Sequence, residues 1–206
     1  MSVRRGARLL ALALTLGALV AAPTAHAEKV VTQDAVGDVV RITIADGSDD
    51  MVTAPAPEET ATDIVRTVVA HGNARLSIAI QVRDLPNSRG EAYVQMATPR
   101  ATYDISATKS AGSRAKVSLS RKNGTAVTCR GLRAAFDSRA DVVAITLPTV
   151  CVESPRWVRV GTGLSMVDGS PTSKDPEVLG VFVDDGHRDG TVRDRSVDKG
   201  PRVRRG

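Results

Sequence analysis

Cys129-Arg-Gly-Leu-Arg-Ala-Ala-Phe136-Asp-Ser-Arg-Ala-Asp141-Val-Val-Ala-Ile145-Thr-Leu-Pro148-Thr-Val-Cys151 is bracketed by the only two cysteines of the chain. Two short alternating runs lie inside it: Leu132, Ala134 and Phe136, then Val143, Ile145 and Leu147. Folding back through Asp137–Asp141 sets Phe136 against Val143, Ala134 against Ile145 and Leu132 against Leu147. The result is a β-hairpin with one apolar face, whose base brings the two sulfurs together. Pro148 ends the second strand because it has no N–H for the ladder. An oxidised Cys129–Cys151 pair closes a loop of about 23 residues and contributes roughly 3 kcal/mol by loop-closure entropy.

The rest of the chain repeats this pattern. Val30–Thr32 and Val39–Ile44 read as strands around an Asp34–Asp38 turn. Val65, Thr67 and Val69 face Ile80, Ile78 and Leu76 if Gly72-Asn73 is a two-residue turn. Ala92–Thr98 and Ala101–Ser106 follow. At Lys122-Asn123-Gly124 a three-residue loop with Gly124 left-handed sets Leu119 opposite Val127 and keeps the apolar set together. Trp157–Val160 and Leu179–Val183 supply two more strands. Many short strands with frequent turns and no sustained helical period predict an all-β fold. The expected architecture is an antiparallel β-sandwich, jelly-roll or immunoglobulin-like, with one disulfide.

Met1–Ala27 has the build of an export signal. Arg4, Arg5 and Arg8 precede the apolar run Leu9–Val20, and Ala25-His26-Ala27 is an A-x-A cleavage pattern. The apolar run is too short to span a bilayer, so no membrane insertion is expected after signal removal. A secreted, extracellular location is expected, where a cysteine pair persists as a disulfide. Residues 28–190 then form a single β-sandwich domain of sufficient size for a core, with 46–62 an exposed loop. Residues 191–206 are expected as a loosely ordered charged tail. The formal charge of +5 falls to about +2 without the signal, and arginines alternate with acids, which speaks against nucleic-acid binding.

Residues carrying a wider resemblance are Asp34…Gly37-Asp38-Val39, Asp63-Ile64, Val82-Arg83-Asp84-Leu85, Cys129-Arg130-Gly131-Leu132 and Pro155-Arg156-Trp157-Val158-Arg159-Val160. With these the chain resembles a group of secreted bacterial β-sandwich proteins of unassigned function. More distantly, the acidic turn and the Asp-Ile…Val-Arg-Asp-Leu strands resemble DOMON-like and family-9-like carbohydrate-binding modules. The second likeness implies a sandwich fold and by itself no activity.

No catalytic constellation emerges, and no catalytic residue is assigned. His71, beside the Gly72-Asn73 turn, is expected as a solvated rim residue. Gly163-Leu164-Ser165-Met166-Val167 lacks the second glycine of a nucleophile elbow. Asp184-Asp185-Gly186-His187-Arg188-Asp189-Gly190 departs from the EF-hand loop at its third and last positions. It leaves a non-EF calcium site from Asp184, Asp185 and Asp189, or from Asp34 and Asp38, beside the alternative of solvated acidic turns; Asp46, Asp49 and Asp50 stand likewise. Ca2+ is therefore the one cofactor to test. Of five aromatic residues, Tyr93, Tyr103 and Trp157 are the candidates for ligand contact, against the alternative that they pack internally. The function expected is a secreted non-catalytic binding or interaction module of unknown ligand, with an extracellular glycan or a cell-envelope component as the partners to consider. The alternatives are a calcium-stabilised carbohydrate-binding module, a cell-envelope structural protein, and a carboxylate-dependent hydrolase.

Overall fold

The structure is a computed structural model describing residues 27–45, 51–87, 89–167, 178–191, 193 and 196–206. The export signal expected at 1–27 thus lies, apart from Ala27, outside the described residues. Among the described residues thirteen strands are present: β1 Glu28–Gln33, β2 Val40–Ala45, β3 Met51–Pro55, β4 Ile64–His71, β5 Arg75–Val82, β6 Gly90–Ala97, β7 Thr102–Lys109, β8 Lys116–Arg121, β9 Arg133–Asp137, β10 Val142–Pro148, β11 Trp157–Val167, β12 Val178–Asp185 and β13 Arg202–Arg204. The described residues form two antiparallel sheets. One has the order β1-β4-β5-β10-β9; the other runs β3-β2-β12-β11-β6-β7-β8, with β13 beside β11. The protein is an all-β, two-sheet antiparallel fold with the disulfide Cys129–Cys151.

Period-two alternation builds the core. On β5, Leu76, Ile78, Ile80 and Val82 are buried while the residues between them are not. They pack with Val143, Ile145 and Leu147 of β10 against Val94, Met96, Ile105, Val158, Val160 and Leu164 of the larger sheet. Each fully buried Val, Leu or Ile side chain contributes on the order of 1.5–3 kcal/mol.

The organising hairpin has the expected register, with Phe136 opposite Val143 and Ala134 opposite Ile145. The Leu132–Leu147 pair does not form, because β9 begins at Arg133 and the Leu132 N–H turns back to the Cys129 carbonyl at 3.3 Å. The cysteine Cα atoms lie 5.4 Å apart. The loop at 122–124 also follows expectation: the Val127 N–H donates to Leu119 O at 2.8 Å, and Gly124 takes φ +84°.

Three expectations are corrected. Gly72-Asn73 is not the turn; Gly72 N–H donates to Arg75 O at 3.0 Å, moving the turn to Asn73-Ala74. Val69 therefore meets Ile78 and Thr67 meets Ile80. A two-residue shift preserves the face of every side chain, but it carries His71 opposite Leu76 and into full burial, not onto a solvated rim. Second, the exposed loop at 46–62 contains β3, which pairs with β2 as an edge strand; residues 46–50, with Asp46, Asp49 and Asp50, lie outside the described residues. Third, the tail is anchored at its end. Val203 is 1 % exposed, and Arg202–Arg204 pair with β11. One apolar residue among arginines carries too little periodicity to announce a strand, yet it fills a core position once β11 offers an edge.

Candidate functional site: a buried carboxylate cluster

The chain crosses from the smaller sheet to the larger through the turn Asp34–Asp38. Gly37 takes φ +80° there, a conformation that favours glycine. Three elements converge on this crossover. The Asp34 N–H donates to Val65 O at 3.1 Å, next to a bulge in β4. The Gly37 N–H donates to Asp63 Oδ2 at 2.8 Å, and Ile64 N–H to Asp184 Oδ2 at 2.6 Å. The Gly190 N–H donates to Asp38 Oδ2 at 3.1 Å. These contacts aim the carboxylates of Asp34, Asp38 and Asp184 at one point, with one oxygen of each within 4.8 Å of the others.

The cluster is short of partners. Asp34 Oδ2, Asp38 Oδ1 and Asp63 Oδ1 are buried and accept no hydrogen bond, and Asp63 as a residue is fully buried. Arg83 pairs with Asp63 through its other oxygen at 2.8 Å, which leaves Oδ1 unanswered. Burial pushes the Asp34 carboxyl up to about 8, reinforced by the charges of Asp184 and Asp38. Burial likewise pushes Asp184 up to about 7, against the hydrogen bond from Ile64 and with the charges of Asp38 and Asp63. Asp38 is raised for the same first reason, burial. Carboxylates this close and this buried resist ionising together near neutral pH, a cost that a cation held among them would remove.

Of the aspartates singled out from sequence, five lie among the described residues; the structure unites Asp34, Asp38 and Asp184 and leaves out two. Strand alternation sends Asp184 toward the core and Asp185 to the opposite face of β12. There Asp185 Oδ2 accepts from Asp198 N–H at 3.1 Å and pairs with Arg188 at 3.3 Å. Burial pushes the Asp185 carboxyl up to about 6. Asp189 is exposed and outside the trio, though its charge reaches Asp38. Asp63 was not anticipated, since an Asp before a strand reads as an ordinary turn residue.

The aromatic candidates do not assemble. Tyr93 pairs with Ser106 and Tyr103 with Met96 across β6 and β7, so the two rings lie on opposite faces of one sheet. Tyr103 is 1 % exposed; its hydroxyl donates to Glu153 Oε1 at 3.3 Å. The Tyr93 hydroxyl donates to Asp104 at 2.7 Å, and burial, ahead of that carboxylate, pushes the phenol up to about 12. Trp157 is half-buried, with the Arg202 guanidinium 4.6 Å from its ring centroid. Tyr93 does line a groove of about 530 Å³ on the outer face of the larger sheet, with Ile42, Met51, Val181, Val183 and Val197.

Comparison of the chain with family models, with curated proteins and with solved structures finds no match.

Proposed function

We propose that this protein is an exported, non-catalytic binding module stabilised by a calcium ion held by Asp34, Asp38 and Asp184. The observation that carries the reading is the convergence of these three carboxylates, with Asp34 Oδ2 and Asp38 Oδ1 buried and unpartnered. Oxygens bound to one Ca2+ sit about 2.4 Å from it, so pairs of ligand atoms lie up to about 4.8 Å apart, as here. An all-carboxylate donor set suits a hard cation better than zinc, whose sites are built chiefly on cysteine and histidine. The Asp63 carboxylate adds negative charge behind the trio. The ion would tie the β1–β2 crossover, the start of β4 and the end of β12 into one unit across both sheets.

Export is supported by the signal pattern of 1–27 and by the disulfide, which persists in oxidising compartments. The binding role is favoured over a carboxylate hydrolase because Asp184 is 2 % exposed and its Oδ2 is engaged by Ile64. A hydrolytic acid must instead face substrate. A glycan ligand has weaker support, as Tyr93, Tyr103 and Trp157 offer no common platform for a sugar face.

Thermal unfolding of the mature protein with EDTA, Ca2+ or Mg2+ tests the reading. Calcium at 100 times its Kd is expected to add about 2.7 kcal/mol, seen as a rise in Tm. Magnesium should give less, since its small, strict octahedral shell resists a protein cage. Identical melting curves in EDTA and in millimolar calcium would remove the ion from the account.

A further inference from the structure

We infer that the cleft between β8 and β9 is a binding site for a small anionic amphiphile, a carboxylate head on an alkyl chain. The site is built from other elements than the aspartate trio: β8 ends the order of the larger sheet and β9 that of the smaller one, and residues of both line the cleft. The two edges face each other across an opening of about 390 Å³, within the range of roughly 300–1,000 Å³ usual for small-ligand sites.

The floor and the rim differ in chemistry. Val117, Leu132 and Phe136 line the floor, only partly buried although packed against the core. Lys109, Arg114 and Arg133 stand around them, and no Asp or Glu lines the cleft among the described residues. Arg114 is held by the turn after β7, where Ser113 N–H donates to Ser110 O at 3.1 Å and Gly112 takes φ +70°. The Lys109 ammonium donates to Asn87 Oδ1 at 2.6 Å, a neutral partner that leaves its charge uncancelled. Among the described residues, neither Arg114 nor Arg133 forms an ion pair.

Charged side chains on an edge strand deter pairing with another sheet. That role explains Arg133 on the edge strand β9, but not Lys109 on β7, Arg114 in the turn before β8, or the apolar floor between the three. A neutral apolar ligand would cover the floor and strip water from the cations without return. A polyanion would meet the cations and leave the floor in water. An anionic head with an apolar body satisfies both at once, with charge-assisted hydrogen bonds from the guanidinium groups.

Calorimetric titration of the mature protein with decanoate, decan-1-ol and decyltrimethylammonium tests this. Decanoate is expected to bind, and the neutral and cationic analogues to bind at least about tenfold more weakly. The Arg114→Gln/Arg133→Gln double variant should lose about tenfold in decanoate affinity with an unchanged Tm, because both side chains are exposed. Raising the salt should weaken decanoate binding to the unmodified protein, as screening of the rim charges requires. Decanoate binding no tighter than decan-1-ol, or binding indifferent to salt, would overturn the assignment. So would an unchanged decanoate affinity in the double variant.

Discussion

Asp184 and Ile64, 120 residues apart, are joined by a 2.6 Å hydrogen bond from the Ile64 backbone to Asp184 Oδ2. The bond links β12 of one sheet to β4 of the other, at the place where the aspartates converge. Replacing Asp184 by Asn keeps an oxygen that can accept from Ile64 and removes a buried charge. Asp184→Asn should therefore abolish the calcium-induced rise in Tm. In EDTA at pH 8 it should be more stable than the unmodified protein, by roughly 1–3 kcal/mol, since it relieves carboxylate repulsion. A variant that still responds fully to calcium would show that Asp184 is no ligand.

The same carboxylates set a pH dependence. Asp34, Asp184 and Asp185, pushed up to about 8, 7 and 6, hold protons in the folded state that the unfolded chain has already released. Without a divalent ion, their contribution to stability is full below about pH 4 and is lost as pH rises toward 8. His71 and His187, whose pKa values burial lowers, act oppositely and cost stability as pH falls below about 6.5. Calcium displaces the carboxyl protons, so the calcium-induced gain should grow from pH 5 to pH 8. Urea unfolding across this range, with and without calcium, measures both slopes; a gain that shrinks with rising pH would contradict them.

Gly161 sits beneath the segment that returns over the outer face of β11. A Cβ built there would lie 2.2 Å from Asp198 O and 2.8 Å from the Val197 side chain. Asp198 is held in place by a bidentate pair with Arg188, at 2.7 and 3.0 Å, and the neighbouring Lys199 ammonium donates to Gln95. Gly161→Ala must lift this strap, at a cost of about 1–3 kcal/mol. Hydrogen exchange should report it locally, as faster exchange of the Gly200 amide that bonds Val160 O at 3.0 Å. A protected Gly200 amide in the variant would argue that the strap is not displaced.

The disulfide spans a sequence separation of 22. A Cys129→Ser/Cys151→Ser variant is expected to fold with the same strand content and to lose roughly 3 kcal/mol in denaturant unfolding. The sheet pairings of β10 with β5 and β9 do not depend on the sulfur link. Loss of β-sheet circular dichroism in that variant would mean that the link is needed to form the hairpin at all.

Most of the strands, the Phe136–Val143 and Ala134–Ile145 pairs of the Cys129–Cys151 hairpin, the Gly124 loop and the sulfur pairing were legible in the chain, because each follows from period-two alternation, turn chemistry and the cysteine spacing within about 25 residues. The Gly72-Asn73 register failed for a related reason: a slip of two leaves the alternation unchanged, so apolar pattern alone does not distinguish the two turns. Only the tertiary structure decided that β3 and β13 exist, since neither carries a pattern of its own and each is ordered by the neighbour it pairs with. Tertiary structure alone also brought Asp34, Asp38 and Asp184 to one point, while it turned Asp185 away and placed Tyr93 and Tyr103 on opposite faces. Which side chains meet across two sheets depends on strand order, and strand order is set by burial summed over the whole core.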